Sequence, residues 1–110
     1  MLVRRRGQAV LESILELLDS LSRRTAMYVN PVDISTVQGY LRGLEAGCRI
    51  GGLDVPRDLY VEAAASRGWK FRATGIVWHM ESKGYTKEAV IQELIAVEAE
   101  AFRRAAANAA

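Results

Sequence analysis

The 110-residue sequence has few of the residues from which metal and redox sites are usually built. It contains one cysteine, Cys48, and one histidine, His79. A single thiol cannot close an internal disulfide, and one cysteine with one histidine cannot form the ligand set of a zinc finger. The lone cysteine therefore predicts a reducing compartment, and the cytoplasm is the expected location.

Long apolar runs are missing as well. No stretch approaches the roughly 18 consecutive apolar residues that a membrane-spanning helix needs, so we expect no membrane partner. Residues 1–6 include three arginines but lack the apolar segment that follows in a signal peptide. With 50% hydrophobic and 25% charged residues, the chain is expected to fold as one domain over 1–110, with frayed ends at 1–7 and 106–110.

Apolar residues instead recur at helical spacing, and no strand-like alternation interrupts them. Between residues 8 and 22 an apolar arc of about 160° lies opposite polar residues that include Glu12 and Glu16. Thr86 is placed to cap a last helix with an equally wide arc. The spacing predicts helices at about 8–22, 35–50, 56–67, 74–83 and 87–107. We expect an all-α, compact bundle of about five helices, with the first and last helices central.

Three glycines recur at four-residue spacing in the second predicted helix, at Gly39, Gly43 and Gly47. Each costs about 1 kcal/mol relative to alanine inside a helix. Two interpretations are open. Either the glycines allow close approach of a neighbouring backbone, or Gly47 begins the exit toward the turn at 51–52.

No catalytic arrangement is recognisable in the sequence. His79 has no serine or cysteine nucleophile in a recognisable setting, and Cys48 falls on an apolar helix face, as an inert buried thiol does. Glycines 51–52 lack the lysine and hydroxyl residue of a phosphate-binding loop. Glu98 and Glu100 point to different sides of one helix and cannot act as an acid/base pair. The sequence therefore predicts a protein that is not an enzyme and has no cofactor and no metal.

Glu98 is unusual, because it falls near the centre of the apolar arc of the last predicted helix. A carboxylate there must be paired, reach solvent or face a partner chain. Two interpretations within one chain are open. The helix extends beyond the core by residue 98, or Glu98 is buried beside a cation such as Arg24, Arg49 or His79.

Two helices with wide apolar arcs carry more apolar surface than three short neighbours cover, which predicts a homodimer or a protein partner. The predicted seam is the last helix, with Phe102 at the contact and Glu98 paired to Arg103 of the second copy. Trp78 lies opposite the aliphatic side of the fourth predicted helix and is a further candidate anchor. The expected function is that of a small interaction or accessory protein that binds a protein partner or itself.

The segment 66–72 interleaves basic and aromatic residues, a combination that meets phosphates and stacks on bases. If this alternative function is correct, the contacts to nucleic acid are Arg67, Trp69, Lys70 and Arg72. The competing interpretation turns the rings inward and leaves the cations in solvent, as any extended loop lying on a core would. A net charge of +2 is also far from the concentrated basic stripe of a dedicated nucleic-acid-binding protein.

Residues 24–29, Arg-Thr-Ala-Met-Tyr-Val, precede a Tyr-Leu-Arg-Gly-Leu segment at 40–44. Over about residues 10–50 the chain resembles a group of small bacterial helical domains with an R-P-x-M-Y-hydrophobic-G signature. Arg24, Met27, Tyr28 and Gly43 match, whereas positions 25 and 30 hold threonine and asparagine instead of proline and glycine. The resemblance implies a bacterial origin and a helical fold, and no activity. We expect a structural role for this loop, with Met27 and Tyr28 packed on the bundle and the Tyr28 hydroxyl bonded nearby.

Overall fold

A computed structural model describes the backbone of residues 2–70 and 75–109 and the side chains of residues 7–70 and 75–108. These ranges contain five α-helices and no strand. The helices are α1 (Leu2–Arg23), α2 (Ile34–Ile50), α3 (Arg57–Ser66), α4 (Gly75–Ser82) and α5 (Lys87–Ala109), with a short 3-10 helix at Thr25–Met27. The predicted all-α bundle of five helices is confirmed.

Local signals set most of the helix ends. The side chain of Asp33 accepts a backbone N–H of the first turn of α2 at 2.7 Å, and the Thr86 hydroxyl accepts one from α5 at 3.2 Å. Beyond α3, Gly68 has a φ of +88°, the left-handed conformation that commonly terminates a helix. The predicted start of α1 near residue 8 is wrong, because the helix begins at Leu2. Residues 2–7 hold no proline and three arginines, which are good helix formers.

The helix α5 takes the predicted central position in the bundle. Its most extensive contacts are with α1 and α3, and it also contacts α2 and α4. Phe102 of α5 is fully buried, as are Leu18 and Leu21 of α1. The hydrophobic core therefore lies around α5, with α1 on one side of it and the shorter helices on the others.

The three glycines of α2 lie on an open flank of the bundle. Gly39, Gly43 and Gly47 are exposed, and a Cβ added to any of them would meet no described atom of another element within 4 Å. Close packing of a neighbouring backbone is therefore the wrong explanation. The alternative explanation is wrong too, because α2 continues past Gly47 to Ile50.

The connector between α1 and α2 is held by different residues from those predicted. Met27 is 74% exposed, whereas Val29 is buried and anchors the connector to the core. The Tyr28 hydroxyl donates a hydrogen bond to Ser20 Oγ at 2.8 Å, and its ring meets Tyr40 edge-on. The predicted polar role of Tyr28 is confirmed, and the predicted packing role of Met27 is wrong because its side chain points to solvent.

Candidate functional site

A cavity of about 450 Å³ opens between α2, α3 and α5. Its size is within the range of pockets that bind small molecules. Its lining includes apolar residues such as Leu41, Ile76, Leu94 and Val97. The polar and charged residues of the lining are Glu45, Arg49, Asp54, Arg57, Tyr60 and Glu98.

Glu98 is the buried charged residue of this cavity, with 5% of its surface exposed. Tyr60 donates its hydroxyl to Glu98 Oε2 at 2.9 Å, and Glu45 lines the same cavity. Burial, reinforced by the negative charge of Glu45, raises the pKa of Glu98 to about 9. Glu98 is therefore protonated at neutral pH.

The two interpretations of Glu98 need correction. Phe102 is fully buried one turn further along α5, so the helix does not leave the core at residue 98. Glu98 is buried and accepts its hydrogen bond from the phenol of Tyr60, whereas Arg49 lies 3.8 Å from Asp54. Tyr60 and Glu45 lie beside Glu98 because α3 and α2, which carry them, both pack against α5.

Sequence reasoning missed Tyr60, Glu45 and the cavity itself. A signal for Glu45 was present, because it falls four residues after Leu41 and three before Cys48 on the apolar side of α2. Cys48 lies close to Glu45 and Tyr60 in the structure. Burial, followed by the charges of Glu98 and Glu45, raises the pKa of Cys48, which keeps the thiol protonated and unreactive at neutral pH.

The predicted interface residues of the last helix do not form a common surface. The side chains of Phe102 and Glu98 are covered by this chain's own helices, so the seam predicted there is wrong. Arg103 is exposed, and it pairs with Glu100 on its own helix at 3.4 Å. Trp78 is 57% exposed and stays a candidate contact residue.

An apolar surface that this chain leaves uncovered lies on α1. This helix packs mainly on α5 and on the short 3-10 helix that follows it, so one side of its wide arc stays open. A groove of about 300 Å³ on that side is lined by Ala9, Val10, Ser13, Ile14 and Leu17, all of them from α1. Val10 is 46% exposed. We call these five residues the α1 outer face.

In the segment considered for nucleic-acid binding, Arg67 and Trp69 contact α5 of the same chain. Trp69 is 4% exposed, and its indole Nε1 donates to Glu93 at 3.1 Å. Arg67 donates two hydrogen bonds of 2.8 Å to the same carboxylate, and these hold the pKa of Glu93 below its usual value. Stacking of bases on Trp69 is therefore the wrong expectation, because the ring is enclosed. Lys70 is exposed, and Arg72 lies outside the described residues.

Comparisons of the chain with models of protein families, with curated protein sequences and with solved structures find no match. Within the described residues, no helix is both long enough and apolar enough to cross a membrane. The same residues contain no group of three or more side chains placed to hold a metal ion. The function is therefore inferred from the residues of this chain.

Proposed function

We propose that this chain is a small, non-catalytic interaction or accessory protein of bacterial type, and that it forms a homodimer through the α1 outer face. The observation that carries the proposal is the open apolar groove that α1 alone lines. Soluble monomers seldom leave a large apolar patch uncovered. The bacterial assignment is supported by the resemblance at residues 24–44, and a cytoplasmic location by the lone Cys48.

The α1 outer face suits a second copy of itself better than a flat or polar partner. Val10 and Leu17 are seven residues apart, the spacing of a seam between paired helices. Antiparallel pairing about a two-fold axis near Ser13 brings Val10 of each copy against Leu17 of the other. Ala9 and Ser13 are small and let the two helices approach closely. Each copy then covers the apolar surface that the other leaves open.

The proposal predicts that Val10→Asp separates the dimer. Light scattering at micromolar concentration is expected to give the wild-type protein twice the chain mass of 12.2 kDa. The aspartate would place a carboxylate in the seam without a partner, so this variant is expected to have the mass of one chain.

Val61→Asp is the matched control for this experiment. Val61 is 38% exposed and belongs to α3, so the same substitution there is expected to leave the dimer intact. A wild-type mass of one chain would refute self-association. A dimer that persists in Val10→Asp would place the interface elsewhere, and exposed Trp78 would then be the next residue to change.

A further inference from the structure

The part of α2 that lies beside Glu98 is the least buried part of that helix. The buried residues of α2 both lie in its first half, at Val37 and Leu41. Residues 42–50, all of which the structure describes, are half-buried or exposed, and they include two of the three glycines. Glycine weakens a helix interior relative to alanine. Local opening is therefore easier in residues 42–50 than in the first half of α2.

Charged and titratable groups face Glu98 from α2, from the turn that follows it and from α3. They are Glu45, Cys48 and Arg49 of α2, Asp54 of the turn, and Arg57 and Tyr60 of α3. Arg49 pairs with Asp54 at 3.8 Å, and Arg57 is also engaged. All three of these side chains are exposed, so solvent screens their charges. Burial and then the charge of half-buried Glu45 act most strongly on Glu98, and both favour its protonated form.

The other helix beside Glu98, α3, is attached to α5 more firmly than α2 is. Its contacts with α5 are more extensive than those of α2. Just beyond the end of α3, Arg67 and Trp69 both donate hydrogen bonds to Glu93 of α5. Tyr60 of α3 adds its hydrogen bond of 2.9 Å to Glu98 itself. A local movement that exposes Glu98 to water therefore takes place on the α2 side of the cavity.

We propose that residues 42–50 of α2 are a pH-sensitive switch, which opens away from α5 when Glu98 loses its proton. Protonated Glu98 is uncharged and is compatible with its buried position. Ionised Glu98 is a carboxylate out of water beside the charge of Glu45, which is costly. Opening of residues 42–50 lets water reach both groups. This switch goes beyond the proposed homodimer and does not depend on it, because the α1 outer face belongs to another helix.

Opening of the segment and release of the Glu98 proton are coupled. The pKa of Glu98 is about 9 in the closed protein, and exposure to water returns it to its ordinary value of 4.5. The closed form therefore keeps its full advantage below pH 4.5 and loses it as the pH rises toward 9. Between these values each opening releases one proton, so the open fraction rises about tenfold per pH unit.

Cys48 lies within residues 42–50 and is the single cysteine of the chain, so its reactivity reports the opening. Alkylation by iodoacetamide, which is uncharged, is followed by mass spectrometry at about pH 6 and about pH 8. Ionisation of the thiol accelerates the reaction in any variant, so the rates are compared with those of Glu98→Gln. Glutamine has the shape of protonated Glu98 and cannot ionise. The rate is expected to rise about 100-fold more in the wild type than in this variant.

A segment that stays closed predicts the opposite difference between the two proteins. Burial and then the charge of Glu98 raise the pKa of Cys48, so without opening the wild type would react no faster than Glu98→Gln at about pH 8. That result would overturn the proposal. Glu100→Gln is the matched control, because Glu100 lies on the same helix, faces the groove beside α1 and pairs with Arg104 at 3.2 Å. It is expected to react like the wild type at both pH values.

Two alanine substitutions test where the opening occurs without changing any charge. A Cβ at Gly43 meets no described atom of another element, so Gly43→Ala stabilises the helical form of residues 42–50. It is expected to slow the alkylation of Cys48 about 5-fold at about pH 8. Gly39→Ala, in the packed half of α2, is expected to leave the rate unchanged. Equal effects of the two substitutions, or no effect of either, would contradict an opening confined to residues 42–50.

Discussion

Replacing Phe102 with alanine is expected to lower the free energy of unfolding by about 3–5 kcal/mol. The ring of Phe102 is fully buried on α5, the helix against which α1, α2 and α3 all pack. Its removal takes apolar surface out of the core and leaves a cavity between several helices, which cannot all move inward together. Urea denaturation followed by circular dichroism measures the change.

Met27→Ala is the control for that measurement. Met27 is 74% exposed, so its replacement is expected to change the free energy of unfolding by less than about 0.5 kcal/mol. The sequence of the loop at residues 24–29 predicted the opposite result. It predicted a buried methionine, whose replacement by alanine costs about 2–5 kcal/mol. Similar effects of the two substitutions would contradict the burial of Phe102 and the exposure of Met27.

The stability of the protein is expected to decrease as the pH rises from about 5 to about 8, by up to about 1.4 kcal/mol per pH unit. The pKa of Glu98 is raised from its ordinary value of 4.5 to about 9 by burial and by the charge of Glu45. Its contribution to stability is therefore fully present below pH 4.5 and is lost as the pH rises toward 9. In this interval the unfolded chain has released the proton that the folded protein keeps.

Glu98→Gln is expected to flatten this pH dependence, because glutamine does not titrate. The lowered pKa values of Asp33 and Glu93 act at more acidic pH, and the raised pKa values of Cys48 and Tyr60 act at more alkaline pH. Free energies of unfolding from urea titrations across the interval give the slope for both proteins. Equal slopes for wild type and variant would show that Glu98 is ionised in the folded protein.

The helices could be predicted because their signals are local. Apolar spacing is visible within a short stretch of sequence, and Asp33 and Thr86 bond to backbone groups only three residues away. The position of Glu98 within an apolar arc is visible in the same way. The partners of Glu98 could not be predicted. Tyr60 is 38 residues away and Glu45 lies on a third helix, so their meeting depends on how α2 and α3 cross α5.

The sequence also could not predict where apolar surface stays uncovered, because this depends on contacts between helices that are distant in the chain. The sequence shows two helices with wide arcs, and it does not show which of them the shorter helices cover. In the folded chain α2, α3 and α4 all contact α5, so Phe102 becomes buried. Val10 of α1 stays 46% exposed because the same helices do not reach it. The dimer that we propose therefore uses α1, because Phe102 of the last helix is not available for contact.

The open glycine flank of α2 has a consequence for the local stability of this helix. Three glycines cost a helix about 3 kcal/mol relative to alanines, and nothing packs against these three positions in return. The amide hydrogens of α2 are therefore expected to exchange with solvent sooner than those of α5. Because α2 carries Glu45, we expect the same local opening of α2 to widen one wall of the cavity while α1 and α5 stay packed against each other.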